Sequence, residues 1–297
     1  MGGSALAADM ARDWLDLSIP YSVVKDYTLP NHVDRTTLVV VCSFSGNTEE
    51  TVSALADARA RGAQVVVAAG KGKLLDVARS DNLPYVVMPY DGETPRMFVL
   101  LNLKAFLEVF ITFGLLDASI KNELAATHAN LKEVDRVWGA KIPFAQNPAK
   151  QLAWHCAGKT PVIYAASRFR SVAYKWKIAF NETAKNVAFC NELPEFSHNE
   201  FQGWASHPIE KPFAVLDLHS SFDHPRVTTR FTVSDRLLSG LRPKAVEIQL
   251  EGETMLEQML WGVLYADFVA IYLGILNGVD PAPVPLIEKL KKELVNS

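Results

Sequence analysis

LVVVCSFSGNTEET, residues Leu38 to Thr51, is the stretch on which the reading of this chain turns. Leu38, Val39, Val40 and Val41 form an unbroken apolar run, the pattern of a parallel strand covered on both faces. The run stops at Cys42-Ser43-Phe44-Ser45-Gly46-Asn47-Thr48, a tight turn with three hydroxyls and a glycine, and Glu49 to Arg61 then reads as a helix with acidic residues in its first turn. A turn of this kind leaves backbone N–H groups unpaired at the helix start, where the macrodipole also favours an anion. A phosphate fits there, and hydroxyls bind it without burying a counter-charge. Capping the helix needs only one of Ser45, Asn47 and Thr48. Ser43, Ser45 and Thr48 together exceed that need and favour a phosphate.

S-x-S-G-N-T-x-E-T after a hydrophobic strand resembles the phosphosugar-binding turn of the sugar isomerase (SIS) domain family. At 297 residues, 49% of them apolar, the chain has material for two domains and two cores. A net charge of -3 argues against a general nucleic-acid binder. Cys42, Cys156 and Cys190 lie far apart, which indicates neither a disulfide frame nor a zinc site and points to a reducing cytoplasm. Met97 to Leu116 and Met255 to Leu276 are long and apolar, but Lys104 and Glu108 interrupt the first and Glu257 and Asp267 the second. Charges in mid-span cost about 2.5–3.5 kcal/mol each on insertion scales, so both read as buried helices and no membrane partner is expected.

Gly2-Gly3-Ser4 opens a helical pattern that runs to about Leu17, again an anion-binding arrangement. In the SIS isomerases the matching G-M-G-G-S follows a central strand. Met1 stands at the methionine of that motif, so the expectation is a first unit lacking its first helix and strand, through a misassigned start or a truncation. Short strands are expected at Tyr21 to Val24, Val65 to Ala69 and Tyr85 to Met88, with a helix at Leu74 to Arg79. This alternation implies a doubly wound parallel sheet of α/β class, which brings Ser4 and the Ser43 to Thr48 turn to one crevice. Arg96, in Thr94-Pro95-Arg96, stands before the next helix; by itself it is equally well a solvated arginine.

A proline-bearing break at Ile142 to Pro148 places the domain boundary between 141 and 142. The pattern then restarts: strands at Pro161 to Ala165, Val187 to Phe189, Phe213 to Leu216 and Val246 to Leu250, helices at Arg170 to Ala184 and Arg226 to Leu238. Val172, Trp176, Ala179 and Phe180 make the first of these helices amphipathic. Taken alone, Glu182 and Lys185 are an ordinary i,i+3 helix pair. His198 is poised by type for proton transfer, or else is a structural cation beside Glu195 or Glu200. His207, His219 and His224 lack ligand spacing and read as surface or core residues.

Two of these segments are similar to motifs of the bifunctional phosphoglucose/phosphomannose isomerases within the SIS family. Asn181-Glu182-Thr183-Ala184-Lys185 resembles F-N-E-N-A-K, with Thr183 in place of an asparagine, and Leu193 to Glu200 resembles L-P-E-x-x-H-N-E. The resemblance implies two SIS domains of flavodoxin-like α/β fold, 1–141 and 142–297. It implies Glu182 as catalytic base, His198 as ring-opening acid/base contributed across a homodimer interface, and Arg96 and Lys291 as residues facing the substrate. Gly3, Ser4, Ser43, Ser45 and Thr48 would hold the phosphate of a hexose 6-phosphate. The implied reaction is an aldose–ketose isomerisation that needs no cofactor and no metal. An aminosugar-phosphate isomerase and a non-catalytic sugar-phosphate sensor are the rival readings.

Overall fold

In the computed structural model, which describes residues 1–15, 17–89, 94–205 and 212–295, helix α1 (Gly2–Trp14) precedes strand β1 (Leu38–Ser43). Helix α2 (Glu49–Ala60), strand β2 (Gln64–Ala69), helix α3 (Lys73–Ser80), strand β3 (Tyr85–Val87) and helix α4 (Val99–Thr112) follow. These elements belong to the first of two units, Met1–Asn122. Its strands are parallel and lie in chain order, with Val39 opposite Val65 and Val67 opposite Tyr85. Both faces are covered, as the apolar runs demand. Val41, Val65, Val67 and Ala69 pack with Leu55 and Ala58 of α2 and Leu74, Leu75 and Ala78 of α3. On the other face Ala68, Phe44 and Met88 meet Ala105 of α4.

Tyr21 to Val24 does not form the expected strand. An extended segment becomes a strand only when its backbone N–H and C=O groups find a ladder. This one is fastened by side chains: the Tyr21 hydroxyl donates to the Ala8 carbonyl at 3.1 Å, and Lys25 Nζ sits 2.6 Å from Asp9. The outer edge of β1 has no ladder partner among the described residues and borders a groove of about 690 Å³ lined by Val23, Val39, Phe106 and Phe110.

The second unit is Glu123–Ser297, helix α5 (Ile120–Leu131) spanning the junction. It contains helices α6 (Asp135–Trp138) and α7 (Pro148–Cys156), strand β4 (Thr160–Ala166), helix α8 (Arg170–Glu182), strand β5 (Phe189–Leu193) and helix α9 (Glu200–Gly203). Strand β6 (Phe213–His219), helix α10 (Pro225–Leu237), strand β7 (Val246–Gln249) and helices α11 (Met255–Leu276) and α12 (Pro285–Val295) complete it. The division lies ahead of the proline break at Ile142 to Pro148. Trp138 explains this: its ring lies 4.8 Å from Tyr265 and 5.1 Å from Trp261, and Asn147 Nδ2 donates to its carbonyl at 2.9 Å, so the residues before the break share the second core.

The second sheet is all parallel in the order β5-β4-β6-β7. The order reverses at β4, and such a switch point opens a crevice beyond the carboxyl ends of the strands. Strand β5 begins at Phe189, later than the expected Val187 to Phe189, and runs into the polar Asn191 and Glu192.

Helix α11 has the length and apolarity to cross a membrane. Most of it is buried inside the second unit, packed on α7 and α8. Asp267 of α11 holds Lys175 of α8, a lysine with 0% exposure, at 2.6 Å. Removing one partner strands the other charge in the core. Lys175→Met is therefore expected to cost about 3–5 kcal/mol in urea unfolding, and pairing it with Asp267→Leu to recover most of that loss. Equal stability of the single and double variants would contradict this.

Candidate functional site

The Ser43 to Thr48 turn is drawn tight by its own hydroxyls. Ser43 Oγ, at the buried end of β1, lies 2.9 Å from Thr48 Oγ1 and 3.4 Å from Ser45 Oγ. Thr48 occupies the N-cap of α2, yet its side chain makes no cap bond; the hydroxyl turns inward to Ser43. The capping alternative thus fails for Thr48, while Ser45 accepts only a long 3.4 Å bond from the Asn47 N–H. Ser4, in the first turn of α1 next to Gly3, joins the cluster by accepting the Phe44 N–H at 3.2 Å. Arg96 is 5% exposed, in a short 3₁₀ turn (Pro95–Met97) that packs against α1.

Backbone geometry fixes the turn from behind. Gly46 has φ of +66° and donates to the Ser43 carbonyl, while its own carbonyl accepts from Leu74 at 3.0 Å. Asn47 Oδ1 accepts the Lys73 N–H at 3.0 Å. Nothing local in the sequence marks Asn47 for this role, because its partner belongs to the next βα loop.

In the second unit Glu182 ends α8, half-buried and followed by buried Thr183 and Ala184. Lys185 has the left-handed φ of +52°, and its Nζ bonds the carbonyls of Asp280 at 2.7 Å and Pro281 at 3.1 Å. Asn277 Nδ2 caps the Ala184 carbonyl at 3.0 Å. The segment carrying Glu182 is thereby bound to the connection leading into α12. Lys291 sits on α12, exposed, as are Leu286, Leu290 and Leu294 of the same helix. His198 closes a 3₁₀ turn (Glu195–His198) just beyond β5 and is exposed.

The remaining histidines follow their bland reading where they are described. His224 caps α10, its Nδ1 accepting the Arg226 N–H at 3.1 Å. His219 is held beside Phe231, and burial lowers its pKa. His207 lies outside the described residues. Among the described residues no group of three or more His, Cys, Asp or Glu could hold a metal ion.

A buried carboxyl nearby has a measurable signature. Burial pushes Asp217, on β6, up to about 7; Arg242 opposes this from 3.8 Å, and Asp235 and Glu247 add to the rise. Burial prevails because the ion pair is long and Asp217 Oδ1 finds no hydrogen-bond partner among the described residues. The folded state then keeps a proton that the unfolded chain has released above its ordinary carboxyl range. Its contribution to stability is full at the acid end and is lost as pH rises towards 7. Asp217→Asn is expected to flatten this slope, gaining on the order of 2–4 kcal/mol relative to wild type between pH 4 and pH 8. Parallel urea-stability profiles would refute it.

A family model, the bacterial phosphoglucose isomerase C-terminal SIS domain, matches residues 145–294. The chain is 34% identical over 297 residues to a bifunctional phosphoglucose/phosphomannose isomerase from Aquifex aeolicus, covering 99% of this chain and 88% of that one. A protein of the same name from Caldicellulosiruptor bescii is 33% identical, with 99% and 87% covered. Among solved structures, a hypothetical protein from Thermus thermophilus superimposes with a TM-score of 0.74 at 17% identity, over 100% of this chain and 81% of that one, a likeness of fold.

Proposed function

The chain belongs to the bifunctional phosphoglucose/phosphomannose isomerase family, and on that premise we propose that it interconverts glucose 6-phosphate and mannose 6-phosphate with fructose 6-phosphate through an enediolate. The observation that carries the reading is the hydroxyl cluster: Ser43, Ser45 and Thr48 within 2.9 to 3.4 Å at the head of α2, beside Ser4. In this reading Gly3, Ser4, Ser43, Ser45 and Thr48 hold the phosphate, whose binding energy orients the reacting carbons. His198, aided by Lys291, opens the hexose ring. Glu182 takes the C2 proton while the C1 carbonyl oxygen gains the electron pair; the O2 hydroxyl proton passes to O1, and Glu182 returns its proton to C1 as C2 becomes the carbonyl. Arg96 stabilises the negative charge of the enediolate. Glucose and mannose 6-phosphates differ only at C2, which is planar in that intermediate, so one base serves both.

A homodimer in which His198 serves the neighbouring protomer, and a cytoplasmic setting, are further parts of the proposal. The exposure of His198 agrees with the first of these. The reaction is tested by assaying both hexose 6-phosphates and glucosamine 6-phosphate side by side. Turnover of the first two is the expected result. Turnover of the aminosugar alone, or binding without turnover, would replace this reading with a rival.

A further inference from the structure

Glu200 is a carboxylate that the proposed chemistry does not use, and it is the most elaborately held side chain near His198. One oxygen accepts the Tyr164 hydroxyl and the other accepts Asn191 Nδ2 at 2.7 Å. Tyr164 on β4 and Asn191 on β5 are register partners in the sheet, so the carboxylate spans two neighbouring strands. Trp204 Nε1 donates to the same tyrosine oxygen at 3.3 Å, and the Arg242 guanidinium lies 5.8 Å from the tyrosine ring.

The loop between Leu193 and Glu200 is secured along its length. Its start is tied by Ser167 Oγ, which donates to the Leu193 carbonyl at 2.9 Å. Its floor is Phe196, 2% exposed and 4.6 Å from the Tyr164 ring. Asn199 Nδ2 donates to Glu195 Oε1 at 2.6 Å, across the residues that include His198. The far end is anchored by Glu200 itself. A loop residue two places from an exposed histidine has been given two strand-borne hydrogen bonds that rigidify it.

We propose that Glu200, clasped by Tyr164 and Asn191, is a positioning residue that sets where His198 stands for ring opening. The inference rests on His198 having the role proposed above. Exposed imidazoles on loops sample many orientations, and misplacing a proton-transfer group by about 1 Å can cost on the order of 100-fold. Neutral glutamine at 200 can still accept from Asn191, but its NH2 group meets Tyr164 only if that hydroxyl turns from donor to acceptor, which replaces a charge-assisted bond with a weaker, reversed one.

The test is a double-mutant cycle on the full chain, with kcat and KM measured for glucose 6-phosphate. Glu200→Gln is expected to lower kcat about 10- to 100-fold with KM within about threefold, and Tyr164→Phe to do the same more weakly. In a His198→Ala background both changes should have almost no further effect on kcat, because the residue they position is gone. A merely structural role would instead multiply the losses in that background, or lower thermal stability with kcat intact, and either result overturns the proposal. Should His198→Ala alone retain wild-type kcat, the role of His198 falls and this inference with it. Multiplying losses would leave that role standing.

Discussion

Glu182→Gln is expected to lower kcat for both hexose 6-phosphates by about 100- to 10,000-fold while KM stays within about threefold. Glutamine matches the glutamate in shape, so under the proposed roles the turn that would hold the phosphate is untouched while the capacity to accept a proton is lost. The surroundings make the substitution a clean one. Thr183 and Ala184 are buried, the Ala184 carbonyl is held by Asn277, and Lys185 is committed to the carbonyls of Asp280 and Pro281. Backbone relaxation therefore has little room to mimic a catalytic defect. Steady-state kinetics with each sugar, beside equilibrium binding of fructose 6-phosphate, decides the matter. Turnover above about a tenth of wild type would remove Glu182 from the role of base.

Gly46→Ala should be as damaging, through the turn proposed to hold the phosphate. A Cβ on Gly46 would stand 1.6 Å from the Lys71 carbonyl oxygen, in a residue whose φ of +66° already disfavours a side chain. Backbone cannot yield as a flexible side chain can, so the turn must open and pull Ser45 and Thr48 off Ser43. A stability loss above about 4 kcal/mol is expected, together with at least about 100-fold weaker binding of fructose 6-phosphate by calorimetry. Gly62 supplies the control. Its φ is +71°, but a Cβ there meets nothing within 4 Å, so Gly62→Ala should cost only about 1–2 kcal/mol and leave binding intact. Comparable losses in the two variants would show that backbone strain alone, and not the crowding behind the Ser43 to Thr48 turn, is responsible.

Local pattern and physics explain which parts of this architecture could be read in advance. The Leu38 to Val41 run forecasts β1, and the stripe of Val172, Trp176, Ala179 and Phe180 forecasts the buried face of α8, where all four are at most 1% exposed. Both signals need only neighbours along the chain. The misreadings arise where a neighbour in space decides. Tyr21 to Val24 has strand-like residues but no ladder. Strand β5 passes its expected end at Phe189, because the polar Asn191 and Glu192 look unlike a strand; Asn191 is polar because it must reach Glu200. Lys175, too, has nothing beside it along α8 to mark it as buried, because its partner lies in α11. The hydroxyl cluster of Ser43, Ser45 and Thr48 is legible as a run of hydroxyls along the chain, and Glu182 is singled out by motif resemblance alone. Asn47 and Lys185 stand inside these motifs but their partners do not, and Tyr164 stands in no motif; what each holds is a distant segment, which local sequence does not reveal.

The bond from Lys185 to Asp280 and Pro281 has a mechanical meaning. A single ammonium ties the end of α8 that carries Glu182 to the root of the terminal helix, so the spacing from Pro281 to α12 sets how far Lys291 lies from that tie. A residue inserted or deleted between Ala282 and Val284 is expected to displace Lys291 along and around the helix while leaving the bonds of Lys185, and with them the seat of Glu182, in place.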